Sequence, residues 1–286
     1  MLNPPLSLFS DDLLISIVEQ LAKLRYTDTI GNLSNLSLAD RAFTQPCQDY
    51  IFRRLTLHNE KKISKQLTNV KKFFDDKPSF ANRVRVIELS ISGEKSASLF
   101  KDPDFTSILQ LFAKSPMPPH AIHFNGSSDA PIVQVEDPMF VVRQLTDSFF
   151  SQTLTILCVE DIANIPLPLF LVCPRLKEVI LERVGAADKS YDKYPINQCS
   201  GREAPLLEVV KFRDSRVLVE QMIVPPPRFN TPVVLWSNLR VLTLAPGSEE
   251  GMACLQPILD AACNTLEELY LITGSKCGVF DNMKRT

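Results

Sequence analysis

Residues 173–184 read Cys-Pro-Arg-Leu-Lys-Glu-Val-Ile-Leu-Glu-Arg-Val, and this stretch decides between the two architectures open to the chain. Large apolar side chains stand at Leu176, Val179 and Leu181, with charge between and beside them at Lys177, Glu178 and Glu182. In an extended segment successive side chains point to opposite faces. Val179 and Leu181 then face one way, and Glu178, Ile180 and Glu182 the other. A parallel strand covered on both faces reads instead as an unbroken apolar run. One face is therefore expected to be packed and the other solvated, which argues against a doubly wound sheet with helices on both sides.

The same template, apolar at its first, fourth and sixth positions, recurs along the chain. Copies start at Phe52, Val84, Leu154, Leu176, Leu207, Leu239 and Leu266, and a weaker one at Pro119 keeps Ile122 and Phe124. Successive starts lie 22 to 35 residues apart. Most follow a Pro or Asn break, as in CPRLKEV, APLLEVV, WSNLRVL and CNTLEEL. Residues 105–114, 140–150 and 251–263 read as helices between copies. Strand, loop, helix and next strand at about thirty residues is the grammar of a repeat array. Residues 58–286 resemble an irregular leucine-rich-repeat solenoid. The expected fold class is α/β, with a parallel sheet on one face and helices on the other. No unit could fold alone, since each inward residue gains its roughly 1.5–3 kcal/mol only by burial against the helix layer and its neighbours.

Residues 10–52 have a different character. Ser10 suits an N-cap, and Asp11 and Asp12 oppose the dipole in the first turn of a helix expected over 11–23. At 100° per residue, Leu13, Leu14, Ile15, Ile17, Val18, Leu21 and Ala22 fill an arc of roughly 200°, whereas packing against one core needs only about 100°. This helix has two faces to bury. Further helices are expected over 29–38 and from about Pro46, a residue suited to a first turn, through Phe52. Three short helices make little core alone and must lean on the next domain or on a partner.

FSDDLLISIVEQL (residues 9–21), LSNLSLADRAF (33–43) and QPCQDYIFRRLTL (45–57) together resemble an F-box. Phe9, Asp11, Asp12, Leu13, Leu14, Ile17 and Leu21 fall on its opening; Leu36, Ser37, Leu38, Arg41 and Phe43 on its middle; Phe52, Arg53, Arg54 and Leu55 on its exit. Ser10 and Phe9 stand where the family usually carries proline and leucine. The resemblance implies that residues 1–57 dock a Skp-type adaptor and, through it, a cullin ubiquitin ligase. Phe9, Leu13, Leu14, Ile17, Val18, Leu21, Leu36, Leu38 and Phe43 would form the contact. With the repeats holding an unknown protein substrate, the chain resembles F-box/leucine-rich-repeat substrate receptors, which are not enzymes. An interaction scaffold with a degenerate F-box and no ligase role is the alternative, and an α/β enzyme a third reading.

Residues between the apolar template positions would line the open face of the sheet. Among them, Glu88, Glu160, Glu178, Glu182 and Glu268 are acidic, Lys211 and Arg213 basic, and Tyr270 aromatic. A face of that sign favours a ligand with basic segments. Segments 125–138, 185–205 and 224–232 read as projecting loops, the second carrying Tyr191 and Tyr194.

Composition narrows the chemistry. The chain has 286 residues, 31 Lys+Arg against 33 Asp+Glu, and a net charge of -2. Nucleic-acid binders carry a basic excess, so no nucleic-acid partner is expected. The 9 glycines are too sparse for phosphate loops, and neither G-x-G-x-x-G nor a Walker loop occurs. The longest apolar stretch, 165–174, is short of the ~20 residues a span requires, and the first residues lack a basic signal-peptide start, so no membrane is expected. The 7 cysteines show no C-x-x-C and fit a reducing compartment, cytoplasmic or nuclear. His120 and His123 form H-x-x-H within an expected strand, where they face opposite ways, so no metal or other cofactor is expected.

Overall fold

The computed structural model describes residues 10–23, 29–58, 63–91, 96–126, 132–135, 139, 141–187, 203–225, 229, 232–245 and 255–272. Its first helices are α1 (Asp11–Lys23), α2 (Thr29–Ala39) and α3 (Thr44–Ile51), with a 3-10 turn at Arg41–Phe43 between the last two. Local chemistry sets these boundaries. The Ser10 carbonyl accepts from the amides of Leu13 and Leu14 at the start of α1. The Asp40 carboxylate accepts from the Ala42 amide at 2.8 Å and caps the turn. Thr44 donates its hydroxyl to the Ser37 carbonyl at 3.0 Å, tying α3 to α2. The three helices share a small core of Leu14, Val18, Leu33, Phe43 and Cys47.

The rest of the described chain is α/β. Its strands are β1 (Arg54–His58), β2 (Val86–Ile91), β3 (Ala121–Gly126), β4 (Ile156–Glu160), β5 (Glu178–Glu182), β6 (Val209–Arg213), β7 (Val241–Ala245) and β8 (Glu268–Leu271). They form one eight-stranded parallel sheet whose spatial order is the chain order. A doubly wound sheet reverses its strand order at a switch point; this one does not.

All eight template copies enter the sheet in register. Leu55, Ile87, Ile122, Leu157, Val179, Val210, Leu242 and Leu269 are successive partners, and so are Leu57, Leu89, Phe124, Val159, Leu181, Phe212, Leu244 and Leu271. Hydrogen bonding fixes the same register just before each strand. The carbonyl of Arg53 accepts from the amides of Arg85 and Val86, that of Arg85 from His120 and Ala121, and that of His120 from Thr155 and Ile156. The pattern continues through Thr155, Lys177, Glu208 and Arg240. A slip of one residue would turn every buried apolar side chain to the opposite face.

Helices cover the apolar face of the sheet. α4 (Ile63–Asp76) buries Ile63, Leu67 and Phe74, and α6 (Pro103–Ala113) buries Phe105, Ile108, Leu109 and Phe112. These are i, i+3 and i+4 spacings, which put the side chains on one stripe. A short α5 (Ser96–Lys101) precedes α6. Farther on come a π-helix at Val141–Phe150, then α7 (Pro168–Leu171), α8 (Arg216–Ile223) and α9 (Gln256–Ala262). Leu218, Val219, Met222, Ile258 and Ala262 join the template residues in one core. That core does not include the five buried residues of the N-terminal helices. Phe52, Phe73 and Phe80 meet in a ring cluster where the two regions join.

The chain leaves successive strands at one level. Asp161, Arg183 and Asp214 each follow the last residue of a strand, and all have positive φ, at 57°, 51° and 48°. The corresponding residue of β3 is Gly126, against which the next turn packs. A Cβ on Gly126 would lie 2.3 Å from the Asp161 carbonyl oxygen. Because the obstacle is backbone, relief requires the turn to move. Gly126→Ala is expected to destabilise the protein by about 1–3 kcal/mol, seen as a lowered urea midpoint; an unchanged midpoint would mean that this turn is not held as described.

Candidate interaction surfaces

Two surfaces carry the sequence-predicted site residues. The first lies on α1 and α2. Leu14, Val18 and Phe43 were expected on the docking face but are buried among the chain's own helices. In the chain alone they hold the helices together. Ile17 and Leu36 are half-buried against the same core. The remaining positions face outward: Leu13 is 43% exposed, Leu21 39% and Leu38 85%, with Ile30 at 63%. Ile15 is exposed as well. Phe9 lies outside the described residues. At 100° per residue, Leu13 and Leu21 lie to one side of the buried Leu14 and Val18 and Ile15 to the other, so the exposed apolar residues of α1 flank its buried stripe.

The second surface is the face of the sheet away from the helices, which is less solvated than the sequence predicts: Glu88, Glu160, Glu178, Lys211 and Arg213 are half-exposed, while His123, Cys158, Ile180, Glu182 and Thr243 are buried. Here the register assembles what the sequence leaves scattered. Glu178 on β5 receives Lys211 Nζ from β6 at 3.1 Å. Glu88 on β2 accepts from Arg54 at 3.2 Å and from the Asn125 side-chain amide at 2.7 Å. Glu182 is buried and meets Arg183 Nη1 at 2.7 Å and Arg213 Nη1 at 3.3 Å. Glu160 lies 3.5 Å from Arg183 Nη2. Arg183 also grips Asp161 with two parallel bonds, Nε to Oδ1 at 2.5 Å and Nη2 to Oδ2 at 2.7 Å. Hydrogen bonding to Asp161 is the main cause that raises the Arg183 pKa above its ordinary value, so the cluster keeps a permanent cation at its centre.

These pairings change the electrostatic expectation. The predicted acidic excess is largely neutralised by cations of the same chain, so the face offers less attraction to a basic ligand than its glutamates imply. Sequence reading missed Arg54, Arg183 and Asp161. Arg183 and Asp161 sit one residue beyond their strands, and the signal that would have found them is the row of strand ends, which places neighbouring exits side by side.

His123 and Cys158 are partners in register on β3 and β4, both buried. His120 precedes β3. At the far edge, all of β8 is exposed, including Glu268 and Tyr270, whose phenol donates to Glu268 at 2.6 Å. That hydrogen bond to a carboxylate raises the Tyr270 pKa. Among the described residues no strand follows β8. Tyr191 and Tyr194 lie outside the described residues, as do most of 125–138 and 185–205 and part of 224–232.

Among the described residues, no cluster of three or more His, Cys, Asp or Glu side chains is arranged to hold a metal ion. No described helix is long and apolar enough to cross a membrane. No protein-family model matches the chain, and no curated protein matches it.

Arg183 is expected to be structural. Replacing it with Met leaves the buried Asp161 and Glu182 short of a cation, and an uncompensated buried charge costs about 3–5 kcal/mol. Arg183 is itself about a third exposed, so screening trims the loss to about 1–3 kcal/mol. Thermal unfolding of Arg183→Met should show the loss, and Asp161→Asn in the same chain should recover part of it. A melting temperature equal to the parent's would mean that the ion cluster contributes nothing net.

Proposed function

We propose that this chain is an F-box/leucine-rich-repeat substrate receptor of an SCF-type ubiquitin ligase. In this reading residues 1–57 dock a Skp-type adaptor and thereby a cullin complex, while residues 58–286 form an irregular leucine-rich-repeat solenoid that holds a protein substrate. The observation that carries the reading is the division of labour on α1. Leu14 and Val18 complete a core with α2 and α3, while Leu13, Ile15 and Leu21, with Ile30 and Leu38 of α2, are left in solvent. Large apolar side chains left exposed beside a buried core are candidates for contact with another protein. The F-box-like spacing of FSDDLLISIVEQL, LSNLSLADRAF and QPCQDYIFRRLTL supplies the kind of partner.

The repeat region supports the second half of the reading. Its strands are short, share one register and follow chain order, and their open face carries Glu88, Glu160, Lys211 and Arg213 within reach of solvent. A substrate held there would be presented to a ligase assembled through α1 and α2. The receptor itself contributes proximity and no bond-making step. Cys47, Cys158 and Cys173 are buried, as small core side chains, and the reading takes the chain to work in a reducing compartment, the cytoplasm or nucleus.

Leu13→Asp combined with Leu21→Asp tests the docking face with little effect on the fold, because exposed positions usually change stability by no more than about 0.5 kcal/mol. Co-expression with a Skp-type adaptor is expected to yield a stable complex for the parent chain and none for the double variant, with circular dichroism unchanged. An adaptor complex that survives both substitutions would overturn the assignment. A complex that forms but does not recruit a cullin would replace the ligase receptor with an interaction scaffold.

A further inference from the structure

The two edges of the sheet differ. At β8, Glu268 donates its amide to the Arg240 carbonyl and Ile272 donates its amide to that of Leu244. Backbone groups alternate sides along a strand, so Glu268, Tyr270 and Ile272 turn theirs toward β7. The amides and carbonyls of Leu269 and Leu271 point the other way, to the outer edge, and among the described residues nothing bonds to them. The other outer edge belongs to β1. There the Arg53 carbonyl faces β2, so that of Thr56 faces outward, and Gln66 of α4 donates its side-chain amide to it at 3.4 Å. Arg54, beside it, is engaged by Glu88. The β1 edge is thus occupied by its own chain, and the β8 edge is not.

The apolar columns open at the same end. From β2 to β7 every member of both columns is buried, down to Leu242 and Leu244 at 0%, yet Leu269 is 45% and Leu271 49% exposed. Unpaired backbone groups and exposed leucines on one short strand form a template for a further strand.

We infer that β8 pairs antiparallel with β8 of a second copy of this chain, about a two-fold axis through Tyr270. In that register Leu269 stands opposite Leu271 of the second copy, on the helix side of both sheets. These residues exchange both of their outward backbone hydrogen bonds, and the axis repeats the exchange. The leucines of the two copies then cover one another. The two Tyr270 side chains meet on the opposite face, where aromatic cross-strand pairs are favourable. Charge agrees with this register: Glu268, the only charged side chain of β8, falls opposite Ile272 and not opposite its own copy. Head-to-tail stacking of β8 on β1 would require the edge that Gln66 occupies, and it would not close. The axis lies at the opposite end of the sheet from β1 and the helices joined to it, and the inference does not use the adaptor reading.

Sedimentation equilibrium of the full chain across a concentration series, with hydrogen exchange at both ends of the series, tests the pairing. A monomer–dimer equilibrium is expected, with the amides of Leu269 and Leu271 slowed only at high concentration. Leu269→Lys alone and Leu271→Glu alone should each weaken dimerisation about tenfold, because the axis makes each altered cross-strand pair occur twice. Both positions are exposed, so circular dichroism should not change. Leu269→Lys combined with Leu271→Glu should recover most of the association, since each new cation then faces a new carboxylate of the other copy. Absence of that recovery would overturn the two-fold register. A monomer at every concentration would overturn the inference; amides of Leu269 and Leu271 already slow in that monomer would show the edge covered by the chain itself. Assemblies that grow beyond two copies, or a dimer indifferent to these substitutions, would overturn it as well.

Discussion

The structure depends on register. Eight short strands have too few residues each to choose a neighbour by themselves, and what aligns them is the pairing of two apolar columns with a backbone ladder at the strand entrances. Leu55 to Leu269 form one column and Leu57 to Leu271 the other. At each entrance one carbonyl accepts two amides from the next unit. Both devices demand the same alignment, so the sheet and the helix layer are built unit by unit on a single rule. The side chains that look outward then fall into rows without further selection for geometry. The Glu178–Lys211 pair and the cluster around Arg183 are consequences of which residues the rows contain.

The N-terminal helices pose a different problem. Their core of five buried residues is small, and α1 spends only part of its apolar circumference on it. A helix that carries more apolar surface than its own chain can cover is tolerated when a partner supplies the rest. The structure divides that surface plainly: Leu14 and Val18 inward, Leu13 and Leu21 outward. The proposed adaptor docking follows from this division together with the F-box-like residue pattern. The aromatic junction of Phe52, Phe73 and Phe80, and the Arg83 bonds to Gln45, Gln48 and Asp49, fasten the N-terminal helices to the sheet region.

Much of this was legible in the sequence, for a definite reason. An apolar residue at every first, fourth and sixth position is a one-dimensional record of a one-dimensional architecture, so all eight strands could be located, including the copy that opens with Pro119. The helical face of α1 was equally readable from its 100° periodicity. What the sequence did not reveal was where one helix divides its apolar arc, because that depends on how α2 and α3 cross it; Leu14, Val18 and Phe43 went inward as a result. The charge of the open face was also misjudged. Glu88, Glu178 and Glu182 looked like an acidic surface until register set Arg54, Lys211 and Arg213 beside them. Asp161 and Arg183 escaped notice because they stand outside the template, at positions whose closeness only the strand exits create.

Hydrogen exchange of the whole chain, measured with and without a Skp-type adaptor, tests the central claim most directly: that α1 and α2 keep an apolar face in reserve for another polypeptide. Alone, amides of α1 and α2 should exchange faster than those of β3 to β6, and the adaptor should slow exchange on α1 and α2 while leaving the sheet unchanged. Helices already protected to the level of the sheet in the free chain, or protection by the adaptor confined to the sheet, would contradict the account.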